Sequence, residues 1–291
     1  MPRISDEQMA RRTEELVLGR IDADDLALPT VPTVPARCLE ILATPDFSVN
    51  EVARLVESDP LVAARVVRLA NSAARATLEP ARSVVQAVMR VGGDELRSFM
   101  LEVAARPIFE SHSRTIAALC RSLWTHSVAV ALLARSVVRS TKGRHPEAAY
   151  LGGLLHDVGK PLLAALLLDS ERRLFGVRTR TWLVPASWLG LIAATHRRVA
   201  IRLADAWRLP DLVKKSIRGV ETYDTDDPGN PANAVRFANA LAKLAGVHAG
   251  PFEAPAVERD VQAGRQLFVL SDREVHVLTD GLRERVDERL F

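Results

Sequence analysis

The sequence predicts an all-α chain arranged as two helical lobes, on three observations. Ala, Leu, Val and Arg dominate while Phe, Trp and Tyr make up only 5% of residues, a composition that suits helix packing better than sheet. Apolar residues recur at helical spacing between N-cap and glycine or proline signals, and period-2 alternation is scarce. At 291 residues, with no internal repeat, the chain can bury two cores that share an interface.

The elements follow in order. Ser5 with Gln8 reads as a capping box opening a first helix. Residues 26–36, LALPTVPTVPA, carry Pro29, Pro32 and Pro35 and read as an extended strap. Short helices follow from Ala36 to about Arg106. Ser48 with Glu51 caps one, and Asp59 with Pro60 at the first helical position caps the next, whose face is Val62, Val66, Leu69 and Ala73. Ser83 with Gln86 starts another, Gly92-Gly93 ends it, and Asp94 starts its successor. A break near Pro107 leads to a long helix over 115–140, stopped around Gly143, and Pro146 opens the helix carrying Leu154, Leu155, His156 and Asp157. Helices are expected over 187–207, 210–218 and 235–245, with 219–234 a loop, and a last one from Ser271 with Glu274. This gives an N-terminal helix (1–25), an N-terminal lobe (26–106), a second lobe (107–250) and a C-terminal helical extension (251–291).

Basic and acidic residues alternate along the expected helices, net charge is only +3, and no basic block stands out, so nucleic acid is not indicated as a partner. Cys38 and Cys120 fall in apolar helical patterns, as buried thiols do. The polar start lacks a secretory apolar region, no uncharged apolar run is read as long enough to span a membrane, and a cytoplasmic location is expected.

Chemistry concentrates at His156-Asp157-Val158-Gly159-Lys160. An imidazole and a carboxylate supply mixed ligands for a divalent metal. Gly159 lets the backbone turn close to such a metal, and Lys160 can meet a phosphate oxygen. The same pattern also fits a plain helix C-terminus. His126 lies on the preceding long helix, and His196 and Asn239 on later ones.

With these motifs in place the chain resembles the HDOD proteins, a regulatory branch of the HD phosphohydrolase superfamily. The resemblance runs from about Leu26 to Val247. It includes LPTVPTVPA, SDPLVAARVVRLANSA, SVVQAVMRVGGDELR, LWTHSVAVALLA, YLGGLLHDVGK and the stretch from His196 to WRLP. It implies a two-lobed HD-like helical fold with metal ligands at His126, His156, Asp157 and Asn239. The superfamily's carboxylate is replaced at Asn239 by a weaker neutral oxygen. Where the family pattern suggests a His pair stands Val220-Glu221, and Arg197 and Arg198 beside His196 are expected to repel a cation.

The implied site is degenerate: no catalytic residue is assigned, and the cofactor is none or a single weakly bound divalent ion. The resemblance implies a non-catalytic bacterial signal-transduction module working through a protein partner or a small-molecule ligand. Arg65, Arg68 and Arg97 join Lys160, His196 and the His156 region in an expected cleft between the lobes, and reversing Arg65 and Arg68 is expected to spare stability. One alternative is a metal-dependent phosphohydrolase of nucleotides or cyclic dinucleotides. Another, a helix-turn-helix regulator built on residues 51–71, is disfavoured because the turn holds Asp59-Pro60 and the second helix puts apolar residues where base-reading side chains should emerge.

Overall fold

The computed structural model describes residues 6–72, 79–175 and 186–290, and among them every regular element is helical. Ser5 and Ala73 lie outside the described residues. The helices are α1 (Asp6–Asp22), α2 (Thr33–Leu42), α3 (Val49–Glu57), α4 (Pro60–Ala70), α5 (Val84–Val91), α6 (Gly93–Ala105), α7 (Arg114–Ser140) and α8 (Pro146–Leu155). They continue with α9 (Gly159–Phe175), α10 (Ala186–Ala206), α11 (Asp211–Arg218), α12 (Pro231–Leu244), α13 (Ala254–Leu267), α14 (Asp272–Thr279) and α15 (Leu282–Leu290).

Local chemistry sets most of these boundaries. Asp59 accepts from the backbone N–H groups of Leu61 and Val62 at 2.9 and 3.2 Å, and Pro60 sits where its missing N–H costs nothing. Ser48 and Ser83 cap α3 and α5 by accepting from Glu51 and Gln86. Ser271 and Glu274 form a reciprocal capping box on α14. Gly92 takes φ +78° between α5 and α6, a turn that glycine makes without strain.

Three boundaries depart from expectation. The strap ends at Pro32, because Pro35 fits inside the first turn of α2, where backbone N–H groups lack helical partners anyway. Helix α12 begins at Pro231 rather than 235, since Asn230 caps it by accepting from the N–H of Ala232. The C-terminal region holds three helices, α13, α14 and α15, with Gly281 (φ +58°) turning between the last two. Ile116–Ser140 and Pro146–Phe175 are apolar and long enough to cross a bilayer, yet 61% and 78% of their most apolar windows are buried in the fold.

Three apolar clusters organise the packing. One joins α2 to α6 around Val52, Val66, Leu96 and Met100, with Cys38 buried in it and its thiol raised to about 11 by burial. The largest is centred on α7, α8 and α12 and takes in α14 and α15. In the third, Val17 and Ile21 of α1 pack on α9 and α10, so the N-terminal helix is anchored to the second lobe. Helix α4 turns Val62, Val66 and Leu69 inward, which confirms that its apolar face serves packing.

Tight backbone approaches let α7 and α8 carry the site. A Cβ on Gly153 would lie 2.8 Å from the Ala131 Cα, so only glycine allows α8 to lie this close to α7. Beneath the lobe junction, the fully buried Glu102 of α6 binds three partners from different parts of the chain. It accepts from Tyr150 Oη of α8 at 2.5 Å, from Arg289 Nε of α15 at 2.8 Å and from Arg65 Nη2 of α4 at 3.2 Å.

Candidate metal-type centre

The HD segment occupies the turn between α8 and α9. His156 is the C-cap of α8, and its Nδ1 donates to the Gly153 carbonyl at 2.7 Å, leaving the Nε2 lone pair buried without a partner. His126 of α7 is held the same way, Nδ1 against the Val247 carbonyl at 2.9 Å, with Nε2 facing Asn239 Oδ1 at 3.1 Å. Backbone carbonyls thus fix the tautomer in which both imidazoles aim Nε2 into one space, as in metal-ligating histidines. Candidate ligand atoms of His126, His156 and Asp157 all lie within 4.8 Å of one another.

Asp157 is the electrostatic centre. Its Oδ2 meets Lys160 Nζ at 2.6 Å and His156 Nε2 at 3.5 Å, while Oδ1 lies 3.4 Å from His196 Nε2. Burial would raise the carboxyl, but the neighbouring His156 and Lys160 outweigh it and hold it well below the usual carboxylate range, and at pH 7 the charge that keeps Asp157 ionised is the Lys160 ammonium. Burial lowers all three imidazoles, His156 to about 3, against the opposing pull of Asp157. The histidines are therefore neutral at pH 7, as ligation requires.

The folded state of the metal-free protein accordingly resists protonation that the unfolded chain accepts. Unfolded histidines charge as pH falls through about 6.5, whereas the buried ones stay neutral, so the unfolded state binds more protons there. Stability should be full above about pH 6.5 and fall as pH drops toward 3, by up to about 1.4 kcal/mol per pH unit for each histidine. Urea denaturation of chelator-treated protein between pH 7.5 and 5 checks this, and His156→Asn should flatten the dependence. A profile unchanged in that variant would exclude His156 as a source.

A pocket of about 230 Å³ opens over this centre and is also lined by Arg197, Arg236, Lys243, His248, Phe252 and Asp260. Arg236 and Lys243 lie three residues before and four after Asn239 on α12, a helical spacing that already placed them on its face. Asp260 of α13 gave no such signal, and tertiary packing alone brings it in. Where second-metal ligands were sought, Arg236 Nη1 instead donates to the backbone carbonyls of Val220 and Glu221, and Arg197 pairs with the Glu221 carboxylate.

Several expectations need correcting. Gly159 has no positive φ; it is small because the His196 carbonyl of α10 packs against it, where a Cβ would collide. Arg198 points away from the centre, donating to Asp22 Oδ1 at 2.7 Å and to the Ile21 carbonyl, and so ties α10 to α1. The expected single cleft is two separate cavities. Arg65 and Arg68 line one with α7 and α15, whereas Lys160 and His196 line the pocket at the HD turn. Arg97 lines neither, because its guanidinium is spent on Asp94 and the Leu42 carbonyl. Nor is Arg65 a free surface residue, being held by Glu102, so reversing it would set two carboxylates together in a buried place.

The sequence model of the HDOD domain family matches residues 28–223. The fold is shared with a solved protein of Shewanella amazonensis SB2B described as a metal-dependent phosphohydrolase, at 18% identity and a TM-score of 0.78, over 97% of this chain and 99% of that one. It is also shared with an HDOD domain protein of unknown function from Geobacter sulfurreducens, at 23% identity and a TM-score of 0.63, over 98% and 99% of the chains. A third, from Marinobacter aquaeolei VT8 and described as a signal transduction protein, has 23% identity and a TM-score of 0.62, over 99% of this chain and 66% of that one. No curated protein matches the chain. The family match covers more than half of the sequence, and the all-helical fold of the described residues agrees with it: this chain belongs to the HDOD domain family.

Proposed function

We propose that this chain is a non-catalytic signal-transduction module whose HD centre keeps at most one weakly held divalent ion. The observation that carries this reading is the cation balance of the centre. Asp157 is the only carboxylate among the candidate ligands and is already engaged by Lys160 Nζ at 2.6 Å. Asn239 offers a neutral amide beside His126, and Arg197 and Arg236 take up Glu221 and the Val220 carbonyl. Two-metal phosphoester hydrolysis needs cations flanking both the attacking and the leaving oxygen. Around Val220-Glu221 the guanidinium groups of Arg197 and Arg236 are paired with Glu221 and Asp260, so the carboxylates there are already engaged and poorly available to a second ion.

The donor set does fit one ion. His126 Nε2, His156 Nε2 and Asp157 would hold it, with Asn239 Oδ1 completing the shell, and the orphaned His156 Nε2 supports this. Such an ion supplies Lewis acidity to a bound oxygen. The residues themselves orient the imidazoles through Gly153 and Val247 and keep Asp157 ionised. That same orphaned nitrogen favours the alternative, a metal-dependent phosphohydrolase of nucleotides or cyclic dinucleotides.

Purified protein incubated with nucleoside triphosphates and cyclic dinucleotides in Mn²⁺ or Fe²⁺ should give no multiple turnover. Asn239→Asp, which restores a carboxylate, should tighten Mn²⁺ binding by about tenfold in calorimetry. Metal-dependent turnover that vanishes in His156→Ala would establish the hydrolase instead, and two ions per chain would overturn the ligand assignment. A cytoplasmic location and a signalling protein as partner belong to the same proposal. Capture of a defined signalling protein from the host by the folded chain is the corresponding test.

A further inference from the structure

A cavity of about 810 Å³ lies at the junction of α4, α6, α7 and α15, apart from the HD centre. Its volume falls in the range of small-molecule sites. Leu69, Phe99 and Leu132 give it an apolar wall, and Phe99 is held between Arg65 and Arg289, whose guanidinium carbons lie 5.3 and 5.2 Å from its ring centre.

The charges around it do not cancel. Arg135 and Arg139 share Glu95 and Glu147, two cations with two anions. Arg65 and Arg289 share the single buried carboxylate of Glu102. Arg68 is exposed and makes no ion pair among the described residues. Arg285 Nη2 donates to the Leu278 carbonyl and its Nε is buried without a hydrogen-bond partner, while Asp280 and Glu284 act on it electrostatically without forming an ion pair among the described residues. With Glu288 as the remaining anion of the lining, the lining side chains and their direct ion-pair partners together carry a surplus of two positive charges. A phosphate monoester or terminal phosphate near neutral pH supplies two negative charges and several acceptor oxygens, and guanidinium forks match that geometry.

We propose that this cavity is a nucleotide site, with phosphate on Arg68 and Arg285 and the base against Leu69 and Leu132. Resting on the signalling reading above, it adds the class of ligand that such a module would sense. Because α4 and α6 belong to one core and α7 and α15 to the other, a ligand here bridges the two lobes and biases their packing.

The test is titration of the full chain with mant-ADP, followed by fluorescence. Saturable binding should be displaced by ADP at a concentration at least tenfold lower than inorganic pyrophosphate requires, because only the nucleotide uses the apolar wall. Arg68→Gln and Arg285→Gln should each weaken binding about tenfold, with thermal melts of both variants confirming the fold. His156→Ala and Lys160→Ala should leave binding unchanged. No saturable binding below 1 mM, equal displacement by pyrophosphate, or loss in the His156 or Lys160 variant in place of the arginine variants would each overturn the proposal. Phosphate release in the same samples reports separately: turnover would remove the non-catalytic reading while leaving a bound nucleotide at the arginines intact.

Discussion

Replacing Glu102 with Ala should cost about 3–5 kcal/mol, the typical penalty for leaving buried charges without their partner. The carboxylate is fully buried and is the shared anion of Arg65 and Arg289, and Tyr150 Oη donates to it as well. Burial by itself would lower Arg289, and Glu102 more than reverses this, raising the guanidinium above its ordinary value. Removing Glu102 sets two guanidinium groups near one another with no anion between them. The melting temperature should drop on the order of 10 °C for a chain of this size. Glu102→Gln, which keeps an acceptor, should lose less, and Tyr150→Phe only about 1 kcal/mol. Because the three partners come from α4, α8 and α15, the Ala variant should also loosen the C-terminal helix, visible as faster amide exchange over 282–290. A Glu102→Ala melt within 2 °C of the parent would show that the hub contributes little beyond its desolvation cost.

Gly159→Ala should be at least as damaging. A Cβ there would lie well inside van der Waals contact of the His196 backbone carbonyl, and backbone cannot rotate away as a side chain can. Relief requires α9 and α10 to separate, which moves His196 from Asp157 and opens the core of Leu163, Leu167 and Val199. A loss of more than about 4 kcal/mol is expected, with weakened Mn²⁺ binding in whatever fraction folds. Gly190→Ala is the control. It lies exposed within α10 with nothing near its added Cβ, and should stabilise by up to about 1 kcal/mol. If both variants melt alike, the close approach at Gly159 is not what demands glycine.

What the sequence determined alone is what depends on neighbours along the chain. Helix starts at Asp59-Pro60, Ser83 and Ser271 were legible because an N-cap satisfies backbone donors two or three residues away. The all-α class followed from helical periodicity, and the HD turn from residues adjacent in sequence. His126, His156, Asp157 and Asn239 could be named from the family pattern, and the fold brings them together. Tertiary structure alone decided which charges meet. Arg65 and Arg97 were expected in one cleft and Arg198 beside the metal-type site, yet the first is bound to buried Glu102, the second to the Leu42 carbonyl and Asp94, and the third to α1. Glu102 and Arg289 are 187 residues apart, and no local spacing pairs them. The role of Gly159 was hidden for the same reason. Its small size answers to a carbonyl on another helix, and contacts between distant segments are set by packing, where a side chain's partners depend on the whole fold.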